Sequence, residues 1–160
     1  MKFSTQEEYG LRCLIRIGKA VAPNGLTIPE ISQMEGLSTA HVGKLLRVLR
    51  LGGFIESARG QTGGYKLTRP PEEIIIGDVL ATLGGKLYEK GFCEEHSGVS
   101  TICTHTIDCS VRSLWRTIQS LLDSVLSKTT LKDLLGNETE VAALVTNFAE
   151  QAEENVALKN

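Results

Sequence analysis

The stretch STAHVGKLLRVLRLGGFIESARGQTGGY, Ser38–Tyr65, decides the fold of the chain. It opens with a basic amphipathic segment that ends at Gly52-Gly53, and a short apolar run, Phe54-Ile55, follows. A glycine-rich turn then leads into a second apolar run, Tyr65-Lys66-Leu67. Helix, strand, turn and strand in this order are typical of a winged helix, whose helix can enter the major groove of DNA while the hairpin reaches an adjacent groove or the backbone.

Two more helices are predicted before this stretch. Apolar residues recur at three- and four-residue steps from Thr5 to about Val21. A second helix should begin after Thr27, which forms a capping box with Glu30, and should end at Gly36 in a left-handed turn. With a third helix capped by Ser38, these segments form a helix-turn-helix. The buried side of the second helix is predicted to consist of Ile28, Ile31 and Met34.

The third predicted helix carries a polar and basic face that suits DNA. Small side chains in its first turn allow close approach to base edges, and two cations further along can neutralise phosphates. The hairpin glycines allow positive φ at a tip that would bring Arg59 to DNA. A solvated basic surface is the alternative interpretation. The predicted DNA-contacting residues are Ser38, Thr39, Ala40, His41, Lys44, Arg47, Arg59, Gly60 and Gln61.

The glycine-rich turn is not a good candidate for a nucleotide-binding loop. A Walker A loop needs a Lys-Ser or Lys-Thr pair after its last glycine, and that pair opens a helix. Here Gly64 is followed by Tyr65 and an apolar run typical of a strand.

The charge of the 160-residue chain is unevenly distributed. Residues 1–70 carry ten basic and five acidic residues, a net charge of about +5, which leaves about −7 for the remainder of a chain with net charge −2. A basic unit on an acidic remainder favours polyanion contact at one end. No apolar run is long enough to span a membrane, and MKFSTQEEYG lacks the apolar core of a signal peptide, so a cytoplasmic location is expected.

The expected architecture is mostly α with a small β-wing, in four segments. Residues 1–70 are predicted as the winged helix-turn-helix DNA-binding domain, residues 71–108 as a connecting segment with a cysteine-bearing loop, residues 109–135 as a dimerisation helix and a short following helix, and residues 136–160 as an acidic tail. Residues 74–80 are predicted as a short buried strand leading into a helix. Residues 141–148 of the tail could form an amphipathic helix.

A strong apolar stripe at helical spacing begins near Ser110 and continues to Leu126. It spans about 18 residues, or roughly 27 Å of helix. Such a face favours antiparallel pairing with a second copy, although packing on its own domain is an alternative. A dimer would place two reading helices about one DNA turn apart, near 34 Å, facing a palindromic operator.

Three of the four cysteines are clustered with C-x9-C-x5-C spacing, at Cys93, Cys103 and Cys109. Cys13 lies in an apolar stripe and is predicted as a core residue. Clustered cysteines in a cytoplasmic protein favour metal or redox chemistry over structural disulfides. Thiolates suit iron–sulfur clusters and zinc, but the paired C-x2-C arms of structural zinc sites are absent. Three interpretations of these cysteines therefore stay open: ligands of an iron–sulfur cluster, a redox switch, or three unrelated thiols.

Several motifs together resemble the IscR/NsrR-type winged-helix regulators of bacteria. They are KFSTQEEYGLRCL, TIPEISQMEGLSTAHVGKLLRVLRLGGFI, the wing RGQTGGYKL, IIIGDVL, and the cysteine loop that runs into CSVRSLW. The resemblance covers about residues 1–135. It implies a homodimeric repressor or activator that binds double-stranded DNA and senses iron–sulfur status, nitric oxide or a related signal.

The same resemblance implies that an iron–sulfur cluster, [2Fe–2S] rather than [4Fe–4S], is bound by Cys93, Cys103 and Cys109. The chain departs from the IscR branch in its longer first cysteine interval and in Arg112, which stands where that branch has a ligating histidine. The fourth ligand therefore stays open. The candidates are Glu8 of a partner subunit, His105 and His96.

Other functions compete with this one. The same regulator could sense through thiol oxidation or a small effector without a cluster. A zinc-bound interaction module belongs to another class of protein, as does a thiol or metal enzyme. The chain offers no convincing pair of nucleophile and base for an enzyme. It lacks C-x-x-C, and its only candidate histidine bases are His41, His96 and His105. A protein that is not an enzyme is therefore expected.

Overall fold

The computed structural model describes residues 3–22, 24–58, 63–89, 91–97, 103 and 108–157. These residues form helices and one antiparallel hairpin, in agreement with the predicted class. In chain order the elements are α1 (Thr5–Lys19), α2 (Ile28–Glu35), α3 (Thr39–Leu51), β1 (Ile55–Ser57), β2 (Tyr65–Leu67), α4 (Ile76–Gly84), α5 (Phe92–Glu95), α6 (Ser110–Leu126), α7 (Leu131–Leu134) and α8 (Glu138–Ala157). A 3₁₀ turn, Pro71–Glu73, precedes α4.

Short-range capping signals set the starts of the first three helices. Ser4 and Thr27 each form a capping box with the glutamate three residues later, and Ser38 accepts a hydrogen bond from the backbone of His41 at 3.2 Å. Gly36 ends α2 with φ 66°, the left-handed conformation that glycine adopts without strain. The predicted helix-turn-helix is therefore confirmed.

The buried face of α2 differs from the prediction. Ile31 is fully buried and Ile28 is partly buried against the core, but Met34 is 49% exposed. Its neighbour Glu35 lies inside instead, because two arginines of α1 pair with its carboxylate. Helical spacing within α2 indicated a buried methionine at position 34. It could not indicate a buried Glu35, because the arginines that pair with Glu35 belong to α1.

The wing is attached to the segment between α1 and α2. β1 and β2 pair antiparallel, with Ile55 opposite Leu67. Tyr65 at the start of β2 also bridges Leu26, with its N–H donating to the Leu26 carbonyl at 2.7 Å and its carbonyl accepting from the Leu26 N–H at 3.0 Å. This added pairing, which was not predicted from the sequence, fixes the hairpin to the helix-turn-helix.

The prediction of a strand at residues 74–80 was wrong for most of that segment. Helix α4 begins at Ile76, and only Ile75 has strand-like pairing, an isolated bridge to Thr130. An apolar run of this length does not distinguish a buried strand from a buried helix. Leu131 N–H donates to the Ile74 carbonyl at 2.8 Å, and Ile76 N–H donates to the Thr129 carbonyl at 2.9 Å.

One apolar core joins the helix-turn-helix to later parts of the chain. Residues of α1, α2, α3 and β1 share it with residues of α4 and α7. The fully buried side chains include Leu14, Ile31, Leu46, Leu49, Ile55, Ile74 and Leu131. Helix α8 then packs on α6 and extends well beyond the helix expected at residues 141–148. Within the described residues, no helix has the length and hydrophobicity needed to cross a membrane.

Candidate nucleic-acid interface and cysteine segment

The exposed face of α3 carries most of the predicted reading residues. Ser38 is the N-cap, and its hydroxyl holds the first turn of the helix by accepting from His41 N–H. Three-residue spacing places His41, Lys44 and Arg47 on successive turns of one side. The residues that lie exposed are Ser38, Thr39, Ala40, Lys44 and Arg47. The opposite side of α3 is buried in the core, so this surface is rigidly presented.

His41 is partly covered because it packs against α1. Its ring lies edge-on to the Tyr9 ring, with centroids 5.6 Å apart. The Arg12 guanidinium lies over the same Tyr9 ring, 5.5 Å from its centroid. Helical spacing places Tyr9 in an apolar stripe and gives no sign of this contact with α3. A row of aromatic residues and a cation therefore continues the α3 surface onto α1.

Glu35 links α1 to the turn between α2 and α3. Its carboxylate accepts a hydrogen bond from Arg12 Nε at 2.7 Å and another from Arg16 Nε. Arg12 also donates to the Glu35 backbone carbonyl at 3.3 Å. Burial alone would raise the pKa of Glu35, but the hydrogen bonds from Arg16 and Arg12 hold that pKa below its ordinary value. Glu35 is therefore charged and fully paired.

The tip of the wing lies outside the described residues, and with it the predicted contacts Arg59, Gly60 and Gln61. The strands that lead to it are well defined by their pairing. Ala58 N–H donates to the Gly64 carbonyl at 2.8 Å, and Lys66 pairs with Glu56 across the hairpin at 3.2 Å.

The cysteines lie in two kinds of surroundings. Cys13 is fully buried in the core, as predicted, and burial raises its pKa to about 11. Cys93, Cys103 and Cys109 are unpaired and partly exposed. Cys93 lies on the short helix α5, and Cys109 is the N-cap of α6, where its sulfur accepts from Arg112 N–H at 3.3 Å.

The described side chains do not bring three histidine, cysteine, aspartate or glutamate residues together as a metal-binding group. Of the candidate fourth ligands, His105 lies outside the described residues, and Glu8 is exposed on α1. His96 stacks on the Phe92 ring with centroids 4.1 Å apart, and its Nδ1 lies 2.8 Å from the Phe92 carbonyl oxygen. The chemistry of three partly exposed thiols suits a soft metal cluster, but the described atoms define no coordination geometry.

A hydrogen-bonded group ties the segment before α5 to the middle of α6. Tyr88 N–H donates to Gln119 Oε1 at 3.1 Å, and Gln119 in turn donates to Asp123 at 2.9 Å. Lys86 pairs with the same Asp123 at 3.2 Å. Desolvation, together with a hydrogen bond to Cys93, raises the pKa of Tyr88. The position of Cys93 is thus linked to α6, which Cys109 begins.

Known proteins resemble most of this chain. A family model described as Rrf2, iron-dependent transcriptional regulator, matches residues 3–137. Protein rrf2 of Nitratidesulfovibrio vulgaris is 33% identical over 135 residues, which are 84% of this chain and 87% of that protein. The structure of CymR, the global cysteine regulator of B. subtilis, matches with a TM-score of 0.67 and 30% identity over 84% of this chain and 96% of that one. IscR of T. potens matches with a TM-score of 0.66 and 29% identity over 84% and 86%.

Proposed function

The chain belongs to the Rrf2 family of transcriptional regulators, and from this premise we propose that it is a homodimer whose binding to a palindromic operator is controlled by its cysteine segment. The observation that carries the proposal is the rigid, exposed first turn of α3 with two cations along the same side. Small residues there allow the backbone to approach base edges, while Lys44 and Arg47 reach phosphates. Arg59, Gly60 and Gln61 of the wing complete the proposed surface.

Control is proposed to rest on an iron–sulfur cluster held by Cys93, Cys103 and Cys109, with Glu8 of the partner subunit or His105 as the fourth ligand. The family description, iron-dependent, supports this choice. Cys109 also lies at the N-cap of α6, where its sulfur accepts from the Arg112 N–H. When bound, the cluster would supply a redox-sensitive and nitric-oxide-sensitive group. A [2Fe–2S] type is proposed from the resemblance to the IscR branch.

A second candidate keeps the DNA-binding regulator and replaces the cluster with the thiols themselves. Cys93, Cys103 and Cys109 are free and partly exposed, which is what a thiol sensor requires. The likeness to CymR, a cysteine regulator, supports this alternative.

The proposed coupling runs from the cysteines to the reading helix through α6. Cys93 interacts with Tyr88, whose N–H donates to Gln119 of α6, and Cys109 caps the start of the same helix, so a change at either cysteine would act on α6. Helix α6 packs on α4, and α4 packs on both α1 and α3. A shift of α6 therefore changes how the two α3 helices of a dimer are placed, and with it the affinity for an operator.

The decisive experiment compares DNA binding with and without the thiols. The protein is purified anaerobically, its iron and sulfide are measured, and a duplex is selected from a random-sequence pool. Affinity for this duplex is then measured for the wild type and for the Cys93→Ser, Cys103→Ser, Cys109→Ser triple variant. We expect at least a roughly tenfold difference, about 1.4 kcal/mol of coupling.

Cys13→Ala is the matched control, since it removes the buried thiol and should leave the selected sequence unchanged. Bound iron and sulfide with visible absorption support the cluster, and their absence together with thiol-dependent affinity supports the second candidate. Equal affinity and equal sequence preference in the triple variant and the wild type would contradict control by the cysteine segment. Failure of the wild type to select any duplex would contradict DNA binding.

A further inference from the structure

We propose that Arg12 and Arg16 of α1 form an additional phosphate-binding site for duplex DNA beside the reading helix, and that Glu35 positions them. This inference rests on the DNA-binding function proposed above and adds a contact surface outside α3 and the wing. It was not apparent from the sequence, where both arginines lie on the polar side of α1 with no sign of a shared partner.

The two guanidinium groups lie close to the reading turn, which is the first turn of α3 and carries the proposed base contacts. Glu35 is the last residue of α2, three positions before the Ser38 N-cap of α3. Both arginines pair with its carboxylate, so both lie at the end of the helix-turn-helix that carries the reading turn. Arg12 lies over the Tyr9 ring, and that ring contacts His41 in the first turn of α3. The site therefore borders the proposed major-groove surface.

The partners of these ion pairs differ strongly in exposure. The Glu35 side chain is 3% exposed, whereas the side chains of Arg12 and Arg16 are 43% and 46% exposed. The anion thus points inward and the cations point outward. Two arginines and one carboxylate carry a net charge of +1, and the exposed Glu8, one turn before Arg12 on α1, adds a negative charge on the Arg12 side only.

Both arginines also retain hydrogen-bond donors for a further partner. A guanidinium has five N–H groups. In the described part of the chain, Arg16 uses its Nε, and Arg12 uses its Nε and one terminal nitrogen, on Glu35. Terminal N–H groups stay available to solvent on both side chains. Planar guanidinium groups with free terminal donors match phosphate oxygens, and a held side chain loses less conformational entropy on binding.

The test uses the full-length protein and the duplex that the wild type selects from a random-sequence pool. Affinity is measured by fluorescence anisotropy over a range of salt concentrations for Arg12→Gln, Arg16→Gln and the double variant. We expect weaker binding in each, and a salt slope smaller by about one per lost phosphate contact. Lys132→Gln is the matched control, because it removes a cation of α7 that is paired with Glu72. Its slope should equal that of the wild type.

Glu35→Gln separates positioning from net charge. Removing a negative charge beside DNA would by itself tighten binding. Glutamine keeps one acceptor oxygen but places an NH2 donor against the second arginine, so that at least one arginine loses its partner and moves, which should weaken binding. Thermal unfolding establishes that the variant is folded. Should it not fold, Arg16→Lys takes its place, since it keeps the charge but loses the planar donor pair, and affinity should fall with little change in slope.

Three results would overturn the inference. They are unchanged slopes in Arg12→Gln and Arg16→Gln, an equal loss in the Lys132→Gln control, and tighter binding by a folded Glu35→Gln. A wild type that selects a duplex while these variants bind it equally well contradicts this site and leaves the proposed function intact. A wild type that selects no duplex contradicts both.

Discussion

Cys13 and the three loop cysteines show how surroundings decide what a thiol can do. Cys13 is enclosed by the core, and its raised pKa of about 11 keeps it as the neutral thiol at physiological pH. The thiolate is the reactive form, so burial and protonation both protect it. Cys93, Cys103 and Cys109 are accessible. The position of Cys13 within a helical apolar stripe was enough to predict this difference from sequence.

We therefore expect two classes of thiol in labelling experiments. In the native, cluster-free protein at pH 8, three thiols should react with iodoacetamide, and the fourth should react after unfolding in denaturant. Mass spectrometry of labelled peptides identifies the sites. Cys13→Ala should remove the slow site alone. Fast labelling of Cys13 in the folded protein would contradict its place in the core.

The hairpin depends on an unusually close backbone approach at Gly25. This residue has φ 73°, and a Cβ placed on it would lie 2.1 Å from the Tyr65 carbonyl oxygen. The approach allows Leu26 to pair with Tyr65 and so attaches the wing to the helix-turn-helix. A turn at this glycine is predictable from local sequence, but turn chemistry does not show which strand lies across from it.

Gly25→Ala should therefore destabilise the fold more than an ordinary glycine substitution. Gly53→Ala is the matched control, because Gly53 also has a positive φ of 76°, but a Cβ placed there would meet nothing within 4 Å among the described residues. Backbone strain alone costs about 1–2 kcal/mol. We expect a loss in that range for Gly53→Ala and a larger loss for Gly25→Ala, about 3 kcal/mol. Chemical denaturation measures both, and equal losses would contradict the close approach.

Helix α6 leaves a large apolar area uncovered on the single chain. Its inner side packs on α4 and α8, but Val111 is 57% exposed, Leu114 53% and Leu121 42%. Exposed apolar side chains that recur along one helix mark an interaction surface. The proposed second copy, paired through α6, would cover them.

We expect Leu114→Asp to shift the protein from dimer to monomer in multi-angle light scattering, because burying an unpaired carboxylate opposes association. Operator affinity should also fall, because a protomer bound at one half-site no longer holds a second protomer near the other half-site. Ser120→Asp, an exposed polar position on α6, is the control and should stay dimeric. A wild type that is monomeric at all concentrations would contradict the interface.

Local signals predicted the helices well, and long-range packing accounts for most of what was missed. Caps and periodicity lie within a few residues of each helix, so Thr27, Gly36 and Ser38 were readable directly. The burial of Glu35 depends on α1, 19 and 23 residues away in sequence. The bridge between Ile75 and Thr130 joins more distant segments still. The predicted strand at residues 74–80 was wrong from Ile76 onward, because a short apolar run is equally compatible with a buried helix.

The pairing of residues 74–76 with residues 129–131 has a consequence for how such a regulator can diversify. It connects the C-terminal end of α6 to the segment before α4, and α4 packs on α1 and α3. In the proposed dimer, paired through α6, the angle at which the two α6 helices cross would set the distance between the two bound half-sites. The bases of each half-site are read by other residues. The distance between the two half-sites and the base sequence within each half-site can therefore change independently. The first depends on the α6 crossing angle, and the second depends on the first turn of α3.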